Sequence, residues 1–213
     1  MNLESQKFEK PTEEKVNENS GKVMPMVVEF AKVILWALVI IIPVRTFLFQ
    51  PFFVQGASME PNFHDGEYLI VNELGYKTTQ VGFGDKDLFE VRPFKDLARG
   101  DVIVFRYPKK PSQFFIKRIV GLPGEKVMIK DDSVLVYNQD HPEGLELDES
   151  DYIPTISETK GDITYNLAEN EYLVLGDNRE HSSDSRTWGT LPEDMIIGKV
   201  LLRAWPIEDF KIF

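Results

Sequence analysis

The sequence predicts a mainly β protein in which a single N-terminal transmembrane helix leads into an extracytoplasmic β-rich domain with a small inserted lobe. Three observations predict it. A strongly apolar run occupies Val27 to Phe49. Beyond it come short apolar runs of strand length, bounded by Gly, Pro, Asp and Asn turn signals. The stretch 131–170 is acidic and rich in loop residues, as an inserted lobe would be.

Residues 1–25 are rich in Glu, Lys and Asn with no apolar periodicity, and are expected to form a disordered cytoplasmic tail. Residues 26–49 are expected to form the anchor. Glu29, Lys32, Pro43 and Arg45 interrupt the run, but Val33 to Val44 is free of charge. A spanning helix needs roughly 20 residues, so the charged side chains must lie near the two interfaces. The start is too long and too mixed in charge for a cleavable secretory signal, and no A-x-A site follows. Lys22 and Lys32 flank the amino side, whereas no Lys or Arg occurs between Arg45 and Lys77. That asymmetry places the amino end in the cytoplasm and the rest outside a cell membrane crossed once.

Residues 50–213 form the β domain, with the lobe at about 131–170 inside it. An aromatic segment, Phe47 to Phe53 around Pro51, opens it and suits either a core or a bilayer interface. Strands are expected at Tyr68–Val71, Val102–Tyr107, Phe114–Val120, Lys126–Ile129, Val134–Tyr137, Tyr172–Leu175 and Lys199–Trp205. The net charge of -11 repels a phosphate backbone, which excludes nucleic acid as a natural partner. With no cysteine, a thiol nucleophile, a disulfide framework and Cys-ligated metals are excluded as well. The histidines His64, His141 and His181 lack metalloprotease spacing, so no metal or cofactor is expected.

Two residues stand out chemically. Ser58, in Gly56-Ala57-Ser58-Met59-Glu60-Pro61, lies just past an apolar segment and just before a Pro-containing turn, where a hydroxyl can be exposed. Serine also favours turns for its own hydrogen bonding, so Ser58 alone signifies little. Lys117 lies in Phe114-Phe115-Ile116-Lys117-Arg118-Ile119-Val120, where alternation groups it with Phe115 and Ile119. Desolvation there would favour the neutral amine and make Lys117 a base; a salt bridge to a carboxylate is the alternative. His64, in an Asn-Phe-His-Asp-Gly turn, is a poor base by comparison.

Four blocks in order resemble the bacterial type I signal peptidases, the leader peptidase family with a Ser/Lys dyad. They are Ser58-Met59-Glu60-Pro61, Arg99 to Phe105, Lys117 to Gly124, and Gly176-Asp177-Asn178-Arg179 running on to Ser182, Asp184, Ser185 and Arg186. The resemblance implies a membrane-bound serine endopeptidase that removes N-terminal signal peptides with A-x-A-like sites from exported preproteins. The lipid bilayer and the secretion translocon are then its other partners. It further implies Ser58 as nucleophile and oxyanion donor, Lys117 as general base, Ser182 as the group that orients Lys117, Met59 as part of the cleft floor, and Asp184 and Arg186 as supports of the Ser182 loop. Some members place a serine two residues before the nucleophile as a second oxyanion donor; Gly56 stands there in this chain, similar to the Gram-positive branch.

Other readings fit less well. Gly82-Phe83-Gly84-Asp85 matches the G-x-G-D of intramembrane aspartyl proteases, but that chemistry needs several spans. A self-cleaving repressor would carry a DNA-binding helix-turn-helix and a basic face. A non-enzymatic pilus-assembly paralogue would be expected to lack one dyad residue, and both are present.

Overall fold

Alternating burial along the short apolar runs generates the strands, and antiparallel pairing joins them. The computed structural model describes residues 20–47, 49–77, 79–83, 86–91, 93–154 and 157–213. The chain falls into two units, an N-terminal one ending at Pro43 and a second from Val44 to Phe213. Helix α1 covers Ser20–Phe47. It starts earlier than the expected anchor, so residues 20–25, assigned to the disordered tail, are helical; residues 1–19 lie outside the described residues. From Met26 to Ile41 its large apolar side chains are exposed all round, Phe30 at 68% and Trp36 at 67%. The side chains described in α1 run only from Met26 to Ile41, and among the described residues no helix is long and apolar enough to cross a membrane.

The strands are β1 (Phe49–Phe53), β2 (Tyr68–Asn72), β3 (Thr79–Phe83), β4 (Lys86–Val91), β5 (Val102–Arg106), β6 (Phe114–Gly121) and β7 (Lys126–Lys130). They continue with β8 (Ser133–Tyr137), β9 (Leu145–Glu146), β10 (Ile163–Asn166), β11 (Glu171–Leu175), β12 (Leu191–Pro192), β13 (Ile196–Trp205) and β14 (Lys211–Ile212). The short helix α2, Ser185–Trp188, precedes β12. The main sheet runs β1-β2-β13-β5-β6-β11-β12, with β14 on β13; the lobe sheet runs β10-β7-β8-β9; β3 and β4 form a separate hairpin.

Each expected strand appears within a few residues of its expected bounds. Phe49, the last residue expected in the anchor, is also the first of β1. Pro51 is tolerated there because β1 is an edge strand that pairs only with β2. The Gly82-Phe83 end of the G-x-G-D match closes β3, which pairs with β4, whereas Gly84 and Asp85 lie outside the described residues. The lobe sheet takes in β7, ahead of residue 131, because Val127 and Ile129 join Val134, Val136, Leu173 and Leu175 in one buried cluster.

Two other clusters position the site. Met59 and Phe63 pack with Leu69, Val71, Val104 and Val200, which moors the turn bearing Ser58 to the sheet. Phe105, Ile119 and Trp188 lead the other cluster, with Phe115 against it. At roughly 25 cal/mol per Å² of apolar surface removed from water, each large buried side chain contributes about 2 kcal/mol.

Candidate active site

Beyond β1 the backbone stays paired with the residues before β2, as Val54 N–H donates to Glu67 O at 2.9 Å. It then breaks into a tight turn, where Glu60 N–H donates to Ala57 O and Phe63 N–H to Met59 O at 2.9 Å. That turn projects Ser58 toward β6. On β6, Lys117 is paired with Ile103 of β5 and is only 3% exposed. Its Nζ lies 2.6 Å from Ser58 Oγ and donates to Ile116 O at 2.7 Å. Burial lowers the Lys117 pKa from an ordinary 10.5 to about 8, against the opposing pull of Asp184 and Asp177. No carboxylate pairs with it among the described residues, so the salt-bridge alternative is not what the structure contains.

The following residue follows opposite rules. Arg118 donates to both Asp177 oxygens, at 2.8 and 2.6 Å, and to Gly100 O at 2.8 Å. Its guanidinium lies 4.2 Å from the Tyr152 ring centroid. Asn62, four residues past Ser58, donates to Asp177 Oδ2 at 2.9 Å and Tyr152 O at 2.6 Å. This network ties the serine turn, the lysine strand and the inserted lobe together.

The loop after β11 closes the other side. Asp184, fully buried, accepts from Gly176 N–H at 3.0 Å and from Arg186 Nε at 2.9 Å. Burial pushes its carboxyl up, but Arg186 and the Gly176 N–H outweigh that and hold it below its usual range. Arg186 also donates to Arg179 O at 2.6 Å, so Asp184 and Arg186 brace the loop from within. Ser182 Oγ is buried against Gly176 and beside the Asp184 carboxylate, which it helps to hold below its usual range, but it makes no hydrogen bond of good geometry among the described residues.

Ser58 and Lys117 sit in a cleft of about 620 Å³. Phe52, Leu69, Val104 and Ile116 supply apolar walls, while Gly56, His181 and Ser183 border the polar end. A nucleophile hydrogen-bonded to a buried amine beside an apolar cleft can carry out acyl transfer.

Comparison with known proteins agrees. Residues 27–205 match the family described as "Signal peptidase, peptidase S26". Signal peptidase IB of Staphylococcus aureus strain N315 is 38% identical over 185 residues, spanning 82% of this chain and 87% of that protein. Signal peptidase I of Pseudomonas fluorescens is 31% identical over 215 residues, spanning 85% and 74%. The chain belongs to the signal peptidase family, peptidase S26. A crystal structure of a signal peptidase I from Enterococcus faecalis V583 shares 30% identity, covers 49% of this chain and 97% of its own, and gives a TM-score of 0.40.

As a signal peptidase the chain is a serine endopeptidase that removes signal peptides from exported preproteins. Of the residues singled out in the sequence, Ser58, Lys117 and Gly56 meet at the cleft. Ser182, Asp184 and Arg186 form the loop beside it. Met59, 1% exposed, is a core residue beneath the turn. Gly56 has φ +85 and donates to Asp65 Oδ1 at 2.6 Å.

Sequence reasoning gave no role to Gly176 and Asn178. Asn178 N–H donates to Ser58 O at 3.1 Å and its Nδ2 to Ala57 O at 3.0 Å, so one residue holds both carbonyls around the nucleophile. At Gly176 a methyl group would meet the Ser182 side chain and come within 2.5 Å of Ser58 O. The available signal was a Gly-Asp-Asn triplet straight after an apolar strand, a place where a turn must pass close to something.

Proposed function

We propose that Ser58 is the nucleophile and Lys117 the general base of this signal peptidase. The observation that carries this reading is the 2.6 Å hydrogen bond between Ser58 Oγ and the Nζ of a lysine whose pKa is lowered to about 8. Neutral Lys117 takes the Ser58 proton as Oγ bonds to the scissile carbonyl carbon. The C–N bond then breaks and that proton leaves on the amine of the mature chain. Lys117 next takes a proton from water, which hydrolyses the acyl-enzyme and restores Ser58. Ser58 N–H, which donates to no group among the described residues, faces the developing oxyanion. Gly56 leaves open the space that a second, side-chain donor would fill. Ser182, whose buried Oγ lies against Gly176 and Asp184 in the loop beside the cleft, is the group assigned to orient the Lys117 amine. Asp184 and Arg186 support its loop, and Met59 supports the turn from the core. The mechanism uses no metal or cofactor.

The preprotein's small residues before the cut fit the apolar end of the cleft. Residues 26–49 anchor the chain in the cell membrane with the amino end cytoplasmic and the β domain outside. Beyond the exposed Glu29–Lys32 pair near its start, the described part of α1 is apolar on every side and calls for an apolar surrounding, which supports this placement. The bilayer and the secretion translocon are the neighbours this topology implies.

The test is cleavage of an A-x-A peptide by the purified full chain. Ser58→Ala and Lys117→Met should each lower kcat by at least about a thousandfold while the far-ultraviolet dichroism is unchanged. Either variant retaining a tenth of the parent activity would refute the dyad.

A further inference from the structure

Between Asp101 and Glu125 this acidic chain has no carboxylate, yet it holds Arg106, Lys109, Lys110, Lys117 and Arg118. Lys117 and Arg118 are accounted for by the site. Arg106, Lys109 and Lys110 are exposed at the tip of the β5–β6 hairpin, and none is ion-paired among the described residues.

The tip is held in shape. Tyr107 N–H donates to Gln113 O, Lys110 N–H to Tyr107 O and Gln113 N–H to Lys110 O, each at 2.9 Å. Below it Tyr107 stacks on Phe115 with ring centroids 4.5 Å apart. Three cations fixed on a rigid tip, within a chain of net charge -11, form a basic island suited to an anionic surface.

The neighbours say which surface. The Arg106 guanidinium lies 5.9 Å from the centroid of Phe114, which is 46% exposed and packs edge-on against Phe52 at 5.4 Å. Phe52 belongs to β1, and β1 begins two residues after α1 ends. The chain that links α1 to β1 is this short, so an anchor at α1 keeps β1, and Phe114 against it, within reach of the bilayer surface. Aromatic rings beside Lys and Arg are the side chains that settle at a lipid–water interface.

We propose that the hairpin tip formed by Arg106, Lys109 and Lys110 docks on anionic phospholipid headgroups. The inference rests on the membrane-anchor reading above. Gln113 and Phe114 border the cleft, so the docked hairpin turns the cleft mouth toward a preprotein held in the bilayer.

The chain contains no cysteine, so Ser112→Cys, at an exposed position on the hairpin, accepts a single environment-sensitive fluorophore. The labelled full chain is reconstituted in vesicles of phosphatidylcholine, with or without a minority of phosphatidylglycerol, doped with a headgroup-borne quencher. Flotation with both vesicle types reads the anchor; quenching reads the hairpin. The expected result is flotation with both, and quenching that strengthens with phosphatidylglycerol and fades as salt rises. Neutralising all three cations as Arg106→Gln, Lys109→Gln and Lys110→Gln should weaken the contact by about fivefold per cation while leaving hydrolysis of a soluble peptide unchanged. Flotation with quenching indifferent to phosphatidylglycerol and to the triple variant overturns the hairpin proposal alone, and is also the outcome if an acidic protein segment is the true occupant. Failure to float overturns the anchor reading and the proposal with it.

Discussion

Lys117 and Arg118 are adjacent on β6, and the structure treats their charges in opposite ways. Arg118 keeps its charge and is matched to it: a two-pronged contact with the buried Asp177, a backbone carbonyl and an aromatic ring. Lys117 receives a serine hydroxyl, one carbonyl and, at 5.6 Å, the Phe115 ring, with no carboxylate in contact among the described residues. A guanidinium cannot lose its proton in a protein, so it must be given a partner; an ammonium can, so burial alone converts it into a base. One side of the strand therefore holds the site together and the other does its chemistry. The cost falls on the chemical side, where desolvation is left unbalanced.

Stability measurements can break this comparison, because the two replacements should act with opposite sign. Arg118→Met leaves buried Asp177 without its counter-charge, with Asn62 as its remaining donor, and should cost about 3–5 kcal/mol in chemical denaturation at pH 7. Lys117→Met removes a buried amine that titrates at about 8 when folded and 10.5 ordinarily. The unfolded chain binds more protons between those values, so the parent gains stability as pH rises through them. Lys117→Met should thus be more stable than the parent by about 3 kcal/mol below pH 8, the gain vanishing above about 10.5. Equal losses from both variants would mean the two cations are structural alike.

Gly176→Ala sharpens the comparison from the opposite wall of the site. The added methyl has no space between Ser182 and Ser58 O, so the nucleophile must shift. Misplacement of about 1 Å costs on the order of a hundredfold in kcat, whereas a fold-only role would lower the melting temperature and leave kcat near normal.

Much of this was legible in the sequence, because strand alternation and burial chemistry are local. The run Phe114 to Val120 revealed both a strand and an anomalous lysine within it. Seven strands among the described residues escaped, those with weak apolar alternation: β10 is Ile-Thr-Tyr-Asn, β9, β12 and β14 are two residues long, β1 contains a proline, β3 is Thr-Gln-Val-Gly-Phe and β4 is Lys-Asp-Leu-Phe-Glu-Val. Met59 packs in the core beneath the turn, a placement that sequence adjacency to Ser58 does not give, because it does not say which way a turn points its next side chain. Asn178 and Gly176 were unassigned because their roles arise only when the β11 loop meets the Ser58 turn, a contact between segments far apart in the chain. The fold thus followed from local pattern, and the loop's part in the site from tertiary approach.

The most direct test is the pH dependence of kcat/KM for the full chain with an A-x-A peptide. Only neutral Lys117 can accept the Ser58 proton, so activity should rise with pH along a limb centred at about 8. Replacing His64, which is exposed and lies against Glu67 at 3.3 Å, or His181, which borders the cleft, should leave the limb in place. A limb near 6.5 that disappears when either histidine is replaced would contradict a lysine base.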